Sequence, residues 1–216
     1  MRARIYQDKI EQAYKTSGNS MGWRFLSCPT KNLEGAEVAF IGLNPGGSSV
    51  DADHGEIAMS EGSAYRDERW AGYEAGQSPL QKQVLSLFAL LEQRPEDVLS
   101  GNLVPFRSPD WETLANPEFS VRFGEDLWAE VLEVARPSLV VTMGNQATKS
   151  VCKLLNVTRL ERKKVGWGNV SAQRGTHEYG TIVGLPHLSR FGIMNRDASR
   201  KQLQELFAGF VSPIRK

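Results

Sequence analysis

Ala36-Glu-Val-Ala-Phe-Ile-Gly-Leu43, running without a break into Asn44-Pro-Gly-Gly47, is the stretch on which the fold turns. A short apolar run closed by Gly and Pro has the length and flanks of a buried strand. Three further runs follow the same pattern: Asn102-Leu-Val-Pro105, Ser138-Leu-Val-Val-Thr-Met143 and Glu178-Tyr-Gly-Thr-Ile-Val-Gly-Leu185. Gly168 to Ala172 is expected to pair with the last of them as a hairpin through Gln173-Arg-Gly175. Helical windows lie between the strands. Pro79 to Leu91 puts Leu80, Val84, Leu87, Phe88 and Leu91 on one stripe, with Ser78 as a cap and Pro79 at the first helical position. Phe123 to Ala135 repeats the pattern and is stopped by Pro137. Asn145 to Leu155 follows Gly144 directly, Ala198 to Phe210 closes the chain, and Arg4 to Lys15 forms a short helix ahead of the first strand. Strands alternating with helices predict a three-layer α/β/α fold around a central, mostly parallel four-stranded sheet. In such sheets ligands bind at the carboxyl ends of the strands, which is where Asn44 stands.

The 216 residues suit one domain, 1–216, with a core from about 36 to 210. With 40% hydrophobic and 24% charged residues the chain is globular, not disordered. No apolar run approaches the ~18–20 residues of a membrane span, and Met1-Arg-Ala-Arg-Ile5 lacks the apolar core of a leader. A cytoplasmic monomer without membrane contact is therefore expected. Two cysteines, Cys28 and Cys152, are too few for a disulfide framework, a four-Cys zinc site or a cubane iron–sulfur cluster. No cofactor is expected. The formal charge of +1, from 26 basic against 25 acidic residues, gives no global sign of a nucleic-acid binder. Positive charge is concentrated in the last third, in Arg159-Leu-Glu-Arg-Lys-Lys164 and in Arg190, Arg196, Arg200 and Lys201. Runs of this kind are most often solvated faces.

Three elements carry polar groups suited to chemistry. Phe40-Ile-Gly-Leu-Asn-Pro-Gly-Gly47 has neither the G-x-G-x-x-G of a dinucleotide site nor the Gly-Lys-Ser/Thr of a P-loop. It offers a rigid turn in which Gly42, Gly46 and Gly47 admit a ligand close to the backbone, Pro45 fixes a dihedral and Asn44 presents an amide. Gly184-Leu-Pro-His-Leu-Ser-Arg-Phe-Gly192 sets an imidazole, a hydroxyl and a guanidinium within four residues. There His187 can donate to an oxygen that becomes negative, while Arg190 and Ser189 can grip a phosphate. In Gly101-Asn-Leu-Val-Pro-Phe-Arg-Ser-Pro109, Asn102 is read at the start of a short strand, where its amide can meet a planar base edge.

Taken in order, these elements resemble the uracil-DNA glycosylase superfamily. Ile41-Gly-Leu-Asn-Pro-Gly46 is similar to the first motif of its mismatch-specific and single-strand-selective branches, and His187-Leu-Ser-Arg190 to the second. Asn102-Leu-Val104, and Leu139 to Gly144 leading into the helix from Asn145, resemble its intervening strands. The resemblance implies a monofunctional glycosylase that flips a uracil or related base out of DNA and hydrolyses its N-glycosidic bond in base-excision repair. Asn44 would position the attacking water, and His187 would stabilise the departing base anion. Gly42, Leu43 and Asn102 would border the base, with Asn102 reading its Watson–Crick edge. Tyr65 would stack on it, with Trp70 and Phe106 as alternatives. The Gly46 and Gly47 amides with Ser48 would meet phosphate oxygens, as would Ser189, and Arg190 or Phe191 would fill the gap left in the base stack.

The chain departs from the family pattern at Leu188, where Pro is usual, and in the segment from Asp51 to Gln77. That segment is long and acidic, and the whole stretch from Asn44 to Gln77 lacks clear periodicity and is read as a substrate-side loop with a short helix between Tyr65 and Tyr73. Two other readings compete. One is a weakly active or non-catalytic protein of the same fold that binds a modified base or nucleotide. The other is an enzyme acting on a small nucleotide, with a metal held by Asp51, Asp53 and His54.

Overall fold

The structure is a computed structural model that describes residues 2–47 and 56–212. Six strands form one sheet: β1 (Val38–Gly42), β2 (Leu99–Asn102), β3 (Leu139–Met143), β4 (Glu161–Lys164), β5 (Ser171–His177) and β6 (Gly180–Leu185). Their order is β2-β1-β3-β6-β5-β4. The first four in that order run parallel, and β5 and β4 are added antiparallel at one edge. The four parallel strands are those expected from the apolar runs, and the sheet is two strands larger. β2 lies upstream of its expected place, so Asn102 ends the strand instead of starting it. The hairpin also differs, because β5 turns into β6 at Glu178-Tyr179 and the Gln173-Arg-Gly175 segment is strand.

β4 is the basic run read above as a solvated face. Its residues are exposed or half-buried at the sheet edge. Charged side chains suit an edge strand, since they discourage pairing with a second chain. Its low β-propensity is outweighed by pairing to β5, and Gly175 leaves the room the adjoining chain needs. A Cβ on Gly175 would lie 2.8 Å from the Arg159 carbonyl oxygen.

Alternating side chains of the sheet feed two cores. Ala39, Ile41, Leu99, Val140 and Ile182 face one way, toward α1 (Arg2–Ser17), α4 (Pro117–Ala135) and α5 (Asn145–Leu154). Val38, Phe40, Leu139, Val141 and Val183 face the other, toward α3 (Pro79–Leu90) and α6 (Asp197–Leu206). This is the three-layer arrangement expected. α3 begins as read, with Ser78 and Gln81 closing a reciprocal capping box and Pro79 in the first turn. α4 starts earlier than its periodicity suggests, at Pro117, because the fixed φ of proline suits a first helical turn.

The segment between β1 and α3 is partly a packed strap. The Glu56 and Ile57 carbonyls accept from the Phe25 and Leu26 amides, and Met59 N donates to the Cys28 carbonyl. A single helical turn, α2 (Ala64–Asp67), follows. Behind it Arg24 and Glu68, both buried, pair through two hydrogen bonds of 2.7 and 2.6 Å. The Gln81 amide ties the Ala64 and Glu68 carbonyls to α3. Asp51, Asp53 and His54, the residues of the metal reading, lie outside the described residues, and the described ones contain no cluster suited to a metal. Cys28 and Cys152 are free, buried thiols, and burial raises the Cys28 pKa to about 11. Among the described residues no helix is long and apolar enough to cross a membrane.

Candidate active site

The order β2-β1-β3 places a switch point at β1, since the chain leaves β1 on one side to form β2 and returns on the other as β3. Such points open a crevice at the carboxyl ends of the strands. The register aligns those ends: Gly42 is level with Asn102, and Met143 with Leu185. Asn44, Asn102, Gly144 and His187 therefore emerge from one end of the sheet. Asn44 and His187 leave strands separated by β3 alone. Two strand spacings amount to about 10 Å, enough to seat a nucleobase between them.

Asn44 follows β1 on a turn fastened to the chain after β2. Leu103 N and Val104 N donate to the Gly42 and Leu43 carbonyls, and Ser108 N donates to that of Pro45. The half-buried Asn44 side chain donates from Nδ2 to the Pro45 carbonyl at 3.2 Å, which leaves Oδ1 as an acceptor. Gly46 and Gly47 are exposed, with Gly47 at a φ of 129° and the Gly46 carbonyl accepting from Arg107 at 3.1 Å. Ser48 lies outside the described residues.

Asn102 is held by its backbone. Its carbonyl accepts from Trp128 Nε1 at 2.8 Å, and its amide donates to the Phe25 carbonyl. Its carboxamide lies across Gly42, where a Cβ would come within 2.6 Å of Oδ1. Gly42 thus makes room for Asn102, a more specific part than lining a base. The Asn102 carboxamide has no hydrogen-bond partner among the described residues, so both its donor and its acceptor are available to a ligand.

His187 stands two residues beyond β6, in a tight turn closed by Arg190 N and Phe191 N, which both donate to its carbonyl. The imidazole rests over Gly144, whose Cβ would sit 4.0 Å from Cδ2. Nδ1 is 2.8 Å from Ser189 Oγ. Burial, and then the Arg190 charge, push the His187 pKa below its ordinary value of 6.5, so the ring is neutral at physiological pH. Leu188, at the position where the family usually carries Pro, is buried in the α3/α6 core and anchors the turn by packing. The Met194 amide donates to Gln83 Oε1 at 2.8 Å, fixing the far end of the loop to α3. Gln83 and Gly144 were not singled out in the sequence. The signals were a polar residue inside the apolar stripe of α3 and a glycine between strand and helix.

Of the two residues expected to fill the base stack, Phe191 is half-buried and meets Trp167 edge-on at 6.2 Å, whereas Arg190 is exposed. The Arg190 guanidinium forms no ion pair among the described residues. The aromatic platforms fare differently. Tyr65, 3% exposed, is packed edge-on among Phe40, Trp70 and Phe88, so neither ring face is open to a base. Phe106 is fully buried against Tyr14 and Phe123. The half-buried Trp70 donates its indole N–H to Glu68 at 2.9 Å. Tyr65 follows Ala64, whose amide donates to the Ser27 carbonyl, and Phe106 lies between Pro105, whose carbonyl accepts from Arg24 N, and Arg107, whose amide donates to the Gly22 carbonyl.

No curated protein matches the chain. Among solved structures it is similar to "the putative tRNA synthase from Salmonella typhimurium LT2", at 10% identity and a TM-score of 0.34. That match covers 79% of this chain and 42% of the other, and is too remote to inform the site. The sequence profile of the uracil DNA glycosylase superfamily matches residues 29–210, a span that holds every element of the sheet and all three polar motifs at its carboxyl end. The chain belongs to the uracil DNA glycosylase superfamily.

Proposed function

We propose that this protein is a DNA glycosylase that extrudes a uracil or related modified base and hydrolyses its N-glycosidic bond, leaving an abasic site. Members of the superfamily typically hydrolyse N-glycosyl bonds. The observation that carries the reading is the convergence of Asn44, Asn102 and His187 at the carboxyl ends of the parallel strands β1, β2 and β6.

The flipped base enters between Asn102 and His187, whose side chains lie against Gly42 and Gly144, and the Asn102 carboxamide meets its Watson–Crick edge. The glycosidic bond breaks with its electron pair leaving on the base. A Ser189 hydroxyl that donates to Nδ1 keeps the proton of His187 on Nε2, facing the oxygen on which that charge gathers. A preorganised donor of this kind contributes about 3–4 kcal/mol. Water then adds to the sugar C1′ and gives up a proton to the departing base or to solvent. Asn44 Oδ1 orients that water without acting as a base, which suffices because departure of the base runs ahead of attack. Gly46 and Gly47 meet phosphates, and Arg190, exposed and without an ion pair among the described residues, fills the vacated stack.

The test is a panel of single- and double-stranded oligonucleotides carrying uracil, deaminated purines or larger modified bases, treated with protein and cleaved with alkali. Strand scission at the lesion supports the reading, and absence of scission across the panel overturns it. A binder that does not release base is the second reading, favoured by the uncharged amide at position 44. Retained affinity for a lesion without scission would establish it.

A further inference from the structure

We propose that a groove beside the His187 loop holds the unpaired nucleotide next to the one being excised; the inference rests on the glycosylase reading. The groove has a volume of about 300 Å³ and lies between the turn around Tyr73, the first turns of α3 and the loop after His187. Tyr73, Gln77, Lys82, Ser189 and Asn195 line it, together with the buried Leu188.

Three features make this a place for a nucleotide. Tyr73 is 47% exposed, one of few large apolar side chains so open, and its ring meets no other aromatic among the described residues. An open ring of this kind is a stacking platform for a base. The Gln77, Lys82 and Asn195 side chains form no hydrogen bond or ion pair among the described residues, so amide donors and acceptors and a cation converge on one groove without partners. Amides suit a base edge and the ammonium a phosphate. Finally, the groove adjoins the catalytic imidazole, because Ser189 lines it and its Oγ is 2.8 Å from His187 Nδ1. Its walls are fixed in advance, through the capped start of α3 and the bond from Met194 N to Gln83. A nucleotide here must have left its duplex partner, so the groove favours a substrate that is single-stranded beside the lesion.

The test uses a fluorescein-labelled oligothymidylate without any lesion, titrated with the full-length protein by anisotropy. Tyr73→Ala is expected to weaken binding about 5- to 150-fold, the value of one base–aromatic stack, and Tyr73→Phe to stay within about twofold of wild type. Lys82→Ala should lower the slope of log affinity against log salt by about 0.7, one phosphate contact on a single strand. Ile5→Ala, exposed on α1, serves as the control and leaves both unchanged. Wild-type binding by both Tyr73→Ala and Lys82→Ala overturns the inference. If lesion DNA is cleaved with unchanged KM by Tyr73→Ala, this inference fails and the glycosylase reading stands. If binding depends on Tyr73 but no lesion is excised, the groove stands and the glycosylase reading fails.

Discussion

Gly42 and Asn102 face each other across the β1–β2 ladder so closely that a Cβ on the first would lie 2.6 Å from the side-chain oxygen of the second. Gly42→Ala therefore displaces the carboxamide proposed to read the base. Because the contact is with the end of a side chain, the backbone has no need to move. The expected result is about a tenfold loss of base release with a melting temperature within a few degrees of wild type. Parallel measurement of scission and thermal unfolding checks it, and a large fall in stability would mean that the contact is structural.

His187→Ala removes the donor proposed for the leaving anion. Base release should fall about 10²–10³-fold while affinity for lesion DNA is kept. Ser189→Ala leaves the ring in place but frees its tautomer, and a smaller loss, about tenfold, is expected. Single-turnover scission with a matching binding titration separates the two effects.

The pH profile follows from the lowered pKa of His187. On the proposed mechanism the neutral ring is the working form, so activity should hold as pH falls past the ordinary 6.5 and decline only below it. Arg190 is one cause of the depression. Removing its charge in Arg190→Ala raises the His187 pKa and moves the acid limb to higher pH. A limb that stays in place would show that another group sets it.

Asn44→Asp should accelerate excision. A carboxylate cannot keep the bond that Asn44 Nδ2 makes to the Pro45 carbonyl, and repulsion turns it toward the crevice. There it favours the cationic sugar and binds the water more strongly. A rise in the single-turnover rate on the order of tenfold is expected.

Arg24→Ala leaves the Glu68 carboxylate buried without its bidentate partner. Loss of one member of such a pair costs about 3–5 kcal/mol. For a chain of this size that is a fall in Tm on the order of 10 °C. Calorimetry checks it.

The parallel half of the sheet was legible because each strand is a continuous apolar run ended by Gly or Pro. Its antiparallel edge was not. Ala172, Gly175 and the charged residues of β4 become strand through pairing, which a local pattern cannot reveal. The positions of Asn44 and His187 were legible for a related reason, since each is a polar residue just beyond an apolar run, two residues past the end of its strand. Asn102 was found but placed at the wrong end of its strand, because Leu99 and Ser100 precede Gly101 and blur the start. Tyr65 was misjudged as a platform, since its burial depends on Phe40 and Phe88, which are distant in the chain. Backbone docking of residues 56–64 on residues 25–29 is likewise invisible to periodicity.

The turn that carries Asn44 is stitched to Leu103, Val104 and Ser108, within the core under α1, α4 and α5. The loop that carries His187 is rooted through Leu188 and Ile193 in the core under α3 and α6. The two groups that would act on one bond thus answer to different helical layers, like the jaws of a caliper each held by its own arm. Substitutions that swell or thin either helical layer alter the gap between the jaws, so excision should be sensitive to packing far from the crevice and should fade on warming before the protein unfolds.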